Sequence, residues 1–149
     1  MPRGNLRRII MPARNVYHDA VVSALQADGW SITDDPLSLK VGERDLLIDL
    51  GAEKQLIAAA KGTEKIAVEI QSFLSLSPVA DLQQALGQYT MYRLALADQQ
   101  PDRPLFLAVP EEVYNGILSE PLGQLVMIGV NIRLLLFDPD RRRVIRWIS

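Results

Sequence analysis

The 149-residue chain contains no cysteine. A disulfide framework, a thiolate metal site and a thiol nucleophile are therefore excluded, and any metal must sit on oxygen or imidazole. Histidine occurs once, at His18, and one imidazole without a second ligand is a poor metal signature. No apolar run approaches the roughly 20 residues needed to span a bilayer. Even Leu122 to Leu136 is broken by Gly123, Gln124, Gly129, Asn131 and Arg133. Repeats and low-complexity segments are absent. Met1 to Arg14 lacks acids and carries Arg3, Arg7, Arg8 and Arg14, but it has no apolar core of a secretory signal. With Met11 as a second potential start, residues 1–11 read as a basic extension, either disordered or a start-site artefact. Residues 12–149 read as one domain. A net charge of -2 argues against nonspecific coating of nucleic acid. The expectation is a cytoplasmic protein with no membrane segment.

What is present has globular composition, 48% hydrophobic and 23% charged, which is too apolar for a disordered chain. Val16, Ala20, Val21, Ala24 and Leu25 recur at helical spacing, with Asn15 as a cap and Gly29 after the end, so Val16 to Asp28 is a helix. A β meander is expected next: Trp30 to Thr33, the turn Asp34-Asp35-Pro36, then Leu37 to Val41 paired with Leu46 to Leu50 across Gly42 to Asp45. Ala52 to Lys61 is open between helix and strand. In the strand Lys65 to Phe73, Ile66, Val68 and Ile70 share one face, and Ala67, Glu69 and Gln71 share the other. Asp81 to Leu96 is a long helix, Leu105 to Val109 a buried strand, and Glu111 to Leu118 and Pro121 to Ile128 are helical. Ile132 to Phe137 and Val144 to Ile148 form a hairpin. The order predicts an α/β fold with a mixed central sheet flanked by helices.

Chemistry gathers at Asp49, Glu69 and Gln71. Asp49 closes one apolar strand and Glu69 lies within another, so neighbouring strands can join the two carboxylates. Paired carboxylates suit a hard cation such as Mg²⁺, which takes oxygen ligands and can generate a nucleophile and stabilise phosphate charge. A carboxylate in an apolar strand must also be compensated by metal, hydrogen bond or counter-charge. On pattern alone the plainer reading stays open, in which Asp49 ends a strand and Glu69 faces water or an ion pair.

Five blocks stand out: HDAVVSALQADGWSITDDPL from His18, IDLGAEK from Ile48, LIAAAKGTEKIAVEIQSF from Leu56, ALGQYTMYRLAL from Ala85 and LLLFDPDRRRVIRWI near the end. Together they resemble the XisH family, named for a factor controlling excision of the fdxN DNA element. The resemblance covers nearly everything after Met11. It implies a restriction-endonuclease-like core, in which a strand Asp and a Glu-x-Lys on the neighbouring strand form a metal-dependent nuclease site. Carried over, Asp49 and Glu69 match the metal-binding carboxylates. Gln71 departs, falling where the family has Lys. Gln88 and Tyr92, at i and i+4 on the long helix, resemble an accessory motif of that superfamily. Ala60 stands where relatives often carry Glu.

Glutamine can donate a hydrogen bond but carries no positive charge and is neither acid nor base. Orientation of a water could survive at position 71, while electrostatic help would not. Lys40, Lys54, Lys61 and Lys65 are the candidates to replace the missing charge. His18 either assists metal or phosphate binding near the cleft or simply packs on its helix. Trp30 and Trp147 read as packing residues, and Arg141 to Arg143 with Arg146 as a solvated turn. The reading is an accessory factor for DNA-element excision with a catalytically impaired site. An active Mg²⁺-dependent endonuclease and a noncatalytic interaction module stand beside it. Implied partners are DNA, an XisI-like protein or a site-specific recombinase. The terminal hairpin's edge strand points to a homodimer.

Overall fold

The computed structural model describes residues 16–55 and 62–149. The basic extension, the Asn15 cap, the Leu56 to Ala60 run and Lys61 lie outside the described residues. Helix α1 (His18–Ala27) buries His18, Ala20, Val21, Ala24 and Leu25, the helical spacing of one apolar face. Its end is closed by Gly29 at φ 94, a left-handed conformation that glycine adopts without a Cβ penalty. The turn lets the Trp30 amide reach back to the Leu25 carbonyl at 2.9 Å.

Eight strands follow in chain order: β1 (Ser31–Asp34), β2 (Leu37–Val41), β3 (Arg44–Ile48), β4 (Leu50–Gln55), β5 (Thr63–Ile70), β6 (Leu105–Pro110), β7 (Leu134–Asp138) and β8 (Arg143–Ile148). Six of them form one mixed sheet in the order β1-β4-β5-β6-β7-β8, and β2 with β3 forms a separate two-stranded ribbon. The expected meander is thus corrected. β1 pairs antiparallel with β4, and the ribbon is a hairpin inserted between them. Its turn is only Gly42-Glu43, since Arg44 and Asp45 already pair with Val41 and Lys40. The strand expected over Leu46 to Leu50 therefore ends at Ile48, and Asp49 falls between two strands.

The centre of the sheet, β5-β6-β7, is parallel, and its strands are apolar on both faces, as a sheet covered on both sides requires. Ile66, Val68 and Ile70 pack with Val21, Leu25, Trp30, Phe106, Leu135 and Phe137, so α1 covers that face. Ala67 points the other way, toward a second core of Tyr89, Leu105, Leu107, Leu134, Leu136 and the ribbon residues Leu37, Leu39 and Ile48.

This second face is covered by helix α2 (Pro78–Gln99), which starts with Pro78 after Ser77, whose side chain accepts the Ala80 amide at 3.1 Å. Tyr89, fully buried, donates its hydroxyl to the Leu105 carbonyl and accepts the Arg133 amide, each at 3.0 Å, tying α2 to the sheet. The segment expected as one helix from Glu111 to Leu118 breaks at Gly116 into α3 (Glu111–Asn115) and a short 3₁₀ turn (Ile117–Ser119). Helix α4 (Pro121–Val130) leads into β7. No helix among the described residues is long and apolar enough to cross a membrane.

Candidate functional site

The site is built where β4 meets β5. Their antiparallel register sets Leu50 opposite Val68 and Gly51 opposite Ala67. Extending it by one residue brings Asp49 opposite Glu69. The Asp49 amide donates to Glu69 Oε1 at 3.2 Å, and the Ile70 amide donates to Asp49 Oδ2 at 2.8 Å. The backbone thus fixes both carboxyl groups side by side.

Glu69 is only 5% exposed, so its charged form is poorly hydrated. Burial, followed by the neighbouring Asp49 charge, pushes its carboxyl up to about 9. Burial also raises Asp49, but the Ile70 amide, His18 and a hydrogen bond from Glu69 pull it down. Both carboxyls are therefore raised, Glu69 the more strongly, and the pair resists carrying two negative charges.

Position 71 continues the alternation of β5, and its backbone amide donates to the Ala108 carbonyl at 2.9 Å. The side-chain amide of Gln71 donates to Gln88 Oε1 on α2. One turn further, the Tyr92 phenol is raised by burial and then by the charges of Glu69 and Asp49, which places it within their field. Gln71 is thus tied to Gln88, and Tyr92 one turn along the same helix is tied to the carboxyl pair through their charges.

His18, also 5% exposed, opens α1, and its Nε2 stands 2.9 Å from Asp35 Oδ1, off the hydrogen-bonding direction. Both act electrostatically on Asp49. Asp35 was legible in sequence only as part of a turn, because its approach to His18 is made by the chain path between α1 and the ribbon. Arg103 was missed as well. It is buried, donates to the Ile66 carbonyl at 3.0 Å, and lies 4.0 Å from Asp34. A buried arginine at a strand entrance leaves no periodic signal.

Of the candidates for a replacement cation, Lys61 lies outside the described residues and the other three have partners away from the pair. Lys40 lies 3.4 Å from Asp45, Lys65 3.9 Å from Glu53, and Lys54 lies over the Trp30 ring. Among the described residues no lysine or arginine contributes to the shift of either carboxyl. Trp30 and Trp147 pack together, and Arg142 reaches Ser23 from an exposed turn. Among the described residues no three His, Cys, Asp or Glu side chains converge as a metal cluster. The described groups that could hold a cation are the two carboxyls of Asp49 and Glu69, whose oxygens suit a hard ion that keeps most of its waters.

A family model described as XisH protein matches residues 11–145. A crystal structure of an XisH family protein from Nostoc punctiforme PCC 73102 superposes with a TM-score of 0.82 at 36% identity, covering 91% of this chain and 100% of that one. A crystal structure of a fdxN element excision controlling factor protein from Anabaena variabilis is 38% identical, with the same TM-score of 0.82 and coverage of 91% and 100%. Among curated proteins nothing matches. With the family model spanning nearly all of the chain and two solved relatives sharing its fold, the chain belongs to the XisH family.

Proposed function

We propose that this chain is an accessory factor in programmed excision of a DNA element, built on a restriction-endonuclease-like scaffold with an impaired cleavage site. The observation that carries this reading is the hydrogen-bonded pair Asp49 and Glu69, with neutral Gln71 held by Gln88 beside it. Asp49 and Glu69 would hold Mg²⁺, which when bound supplies an activated water and charge neutralisation at a phosphodiester. Gln71 would orient a water or phosphate oxygen through its amide, and Tyr92 would donate a hydrogen bond from its phenol. Loss of one preorganised stabilising group costs on the order of 10²- to 10³-fold in rate, so binding outlives efficient cutting.

DNA, an XisI-like protein or a recombinase, and a second copy paired through the terminal hairpin's edge strand are the partners this reading proposes, in the cytoplasm. The test is calorimetry with Mg²⁺ and Mn²⁺ alongside a plasmid-cleavage assay. Binding abolished by Asp49→Ala, with little cleavage by the wild type, is expected. Efficient wild-type cleavage that needs both carboxylates would make the chain an active endonuclease. No binding at millimolar metal would leave a noncatalytic interaction module.

A further inference from the structure

At the same end of the sheet as the carboxylate pair, the chain opens a groove that the site does not use. Strands β5 and β6 run parallel, and the segments that leave them, through Phe73 and through Pro110, form its two walls. Phe73, Pro78, Val113 and Ile117 line it with apolar surface, and Glu112 and Glu120 with carboxylates, around a volume of about 290 Å³. Among the described residues no lysine or arginine lines it. Next to it the loop after β5 exposes Leu74 and Leu76, and the first turn of α2 exposes Val79, with Leu76 fully in solvent. Three apolar side chains next to an apolar groove form a continuous unpartnered surface, unlike singly scattered leucines.

Charge selects the occupant. A nucleic-acid backbone would bring phosphates against Glu112 and Glu120, with Glu111 adjoining, and like charges facing each other oppose association. A polypeptide with apolar side chains flanked by Lys or Arg meets both features, burying its apolar groups on Phe73, Val113 and Ile117 while its cations face the rim. We propose that this groove docks a basic, apolar segment of a partner protein, leaving the carboxylate pair free for other ligands. The proposal stands on the groove alone and does not depend on metal or DNA at Asp49 and Glu69.

The test uses the full chain and a short fluorescein-labelled peptide alternating Leu and Arg, compared with the same peptide carrying Glu for Arg. A short labelled DNA duplex is the third probe. Anisotropy should show the basic peptide binding in the micromolar range, and Glu112→Gln with Glu120→Gln should weaken it roughly tenfold, as loss of two rim charges predicts. The amide resonances of Gly116 and Ile117 should shift with the basic peptide and not with DNA. Glu112→Lys with Glu120→Lys should reverse the preference toward the acidic peptide, a result that misfolding cannot produce. Equal binding of both peptides, shifts that avoid Gly116 and Ile117, or DNA shifting those same amides would each overturn the proposal.

Discussion

Asp49 and Glu69 are joined through each other's strands: the Asp49 amide donates to the Glu69 carboxyl, and the amide following Glu69 donates to the Asp49 carboxyl. This exchange holds two acids together without a basic residue between them. Glu69 has an ordinary value of 4.5 and is held at about 9, so between those limits the folded chain keeps a proton that the unfolded chain has released. Its contribution to stability is complete below about pH 4.5 and is lost as pH rises toward 9, with a slope of up to about 1.4 kcal/mol per pH unit for one proton. The raised Asp49 acts in the same direction. Urea denaturation between these limits should show falling stability in the wild type and a flatter profile in Glu69→Gln. The variant should gain most at the alkaline end, and an unchanged profile would refute the retained proton.

Much of this was legible in the sequence because it is local. Alternation along β5 assigned Glu69 and Gln71 to one face, and the i, i+4 spacing assigned Gln88 and Tyr92 to another, so their meeting needed only a helix packed on that side of the sheet. The pairing of Leu37 to Val41 with the strand ending at Ile48 was legible too, but not the separation of that ribbon from the main sheet. Leu39 and Ile48 signal strands, but pairing depends on which strand lies next to β1, and β4 takes that place because it carries the continuous apolar pair Leu50 and Ala52 into the sheet. Asp35 beside His18 and Arg103 beside Asp34 are products of that chain path, with no periodicity to announce them.

Gly51 permits one of those pairs. A Cβ at this position would lie 2.7 Å from Arg103 Nη1 and 2.8 Å from Asp34 Oδ1, closer than real Cβ contacts allow. Because Arg103 is buried and tied to the Ile66 carbonyl, its guanidinium has little freedom to withdraw. Gly51→Ala should therefore destabilise the fold by about 1–3 kcal/mol, read as a shift in the urea midpoint. A neutral or stabilising effect would show that Arg103 relocates freely.

A divalent ion on the carboxylate pair must displace the proton on Glu69, since a ligating carboxylate is deprotonated. Calorimetry at pH 7 in buffers of different ionisation heat should report release of about one proton per Mn²⁺ bound, with affinity rising toward pH 9. Asp49→Ala should abolish binding, and Glu69→Gln should weaken it while eliminating the proton release. Binding with no buffer dependence would place the ion elsewhere.

Gln71→Lys tests whether the missing charge is what silences the site. In the wild type Gln71 gives its amide proton to Gln88, so that pair is neutral, and among the described residues no lysine or arginine shifts Glu69 or Asp49. A lysine ammonium can use the same Gln88 oxygen as acceptor, and its charge would favour ionisation of Glu69 as well as stabilise negative charge on a phosphate. Restoring one preorganised group should raise Mg²⁺-dependent cleavage of plasmid DNA by on the order of 10²-fold, and adding Glu69→Ala should abolish the gain. The same lysine should lower the pH at which Glu69 loses its proton, so the alkaline loss of stability should move to lower pH even if no DNA is cut. That second readout separates a lysine that fails to reach the pair, where both effects are absent, from one that reaches it on a scaffold used for binding, where only the titration moves.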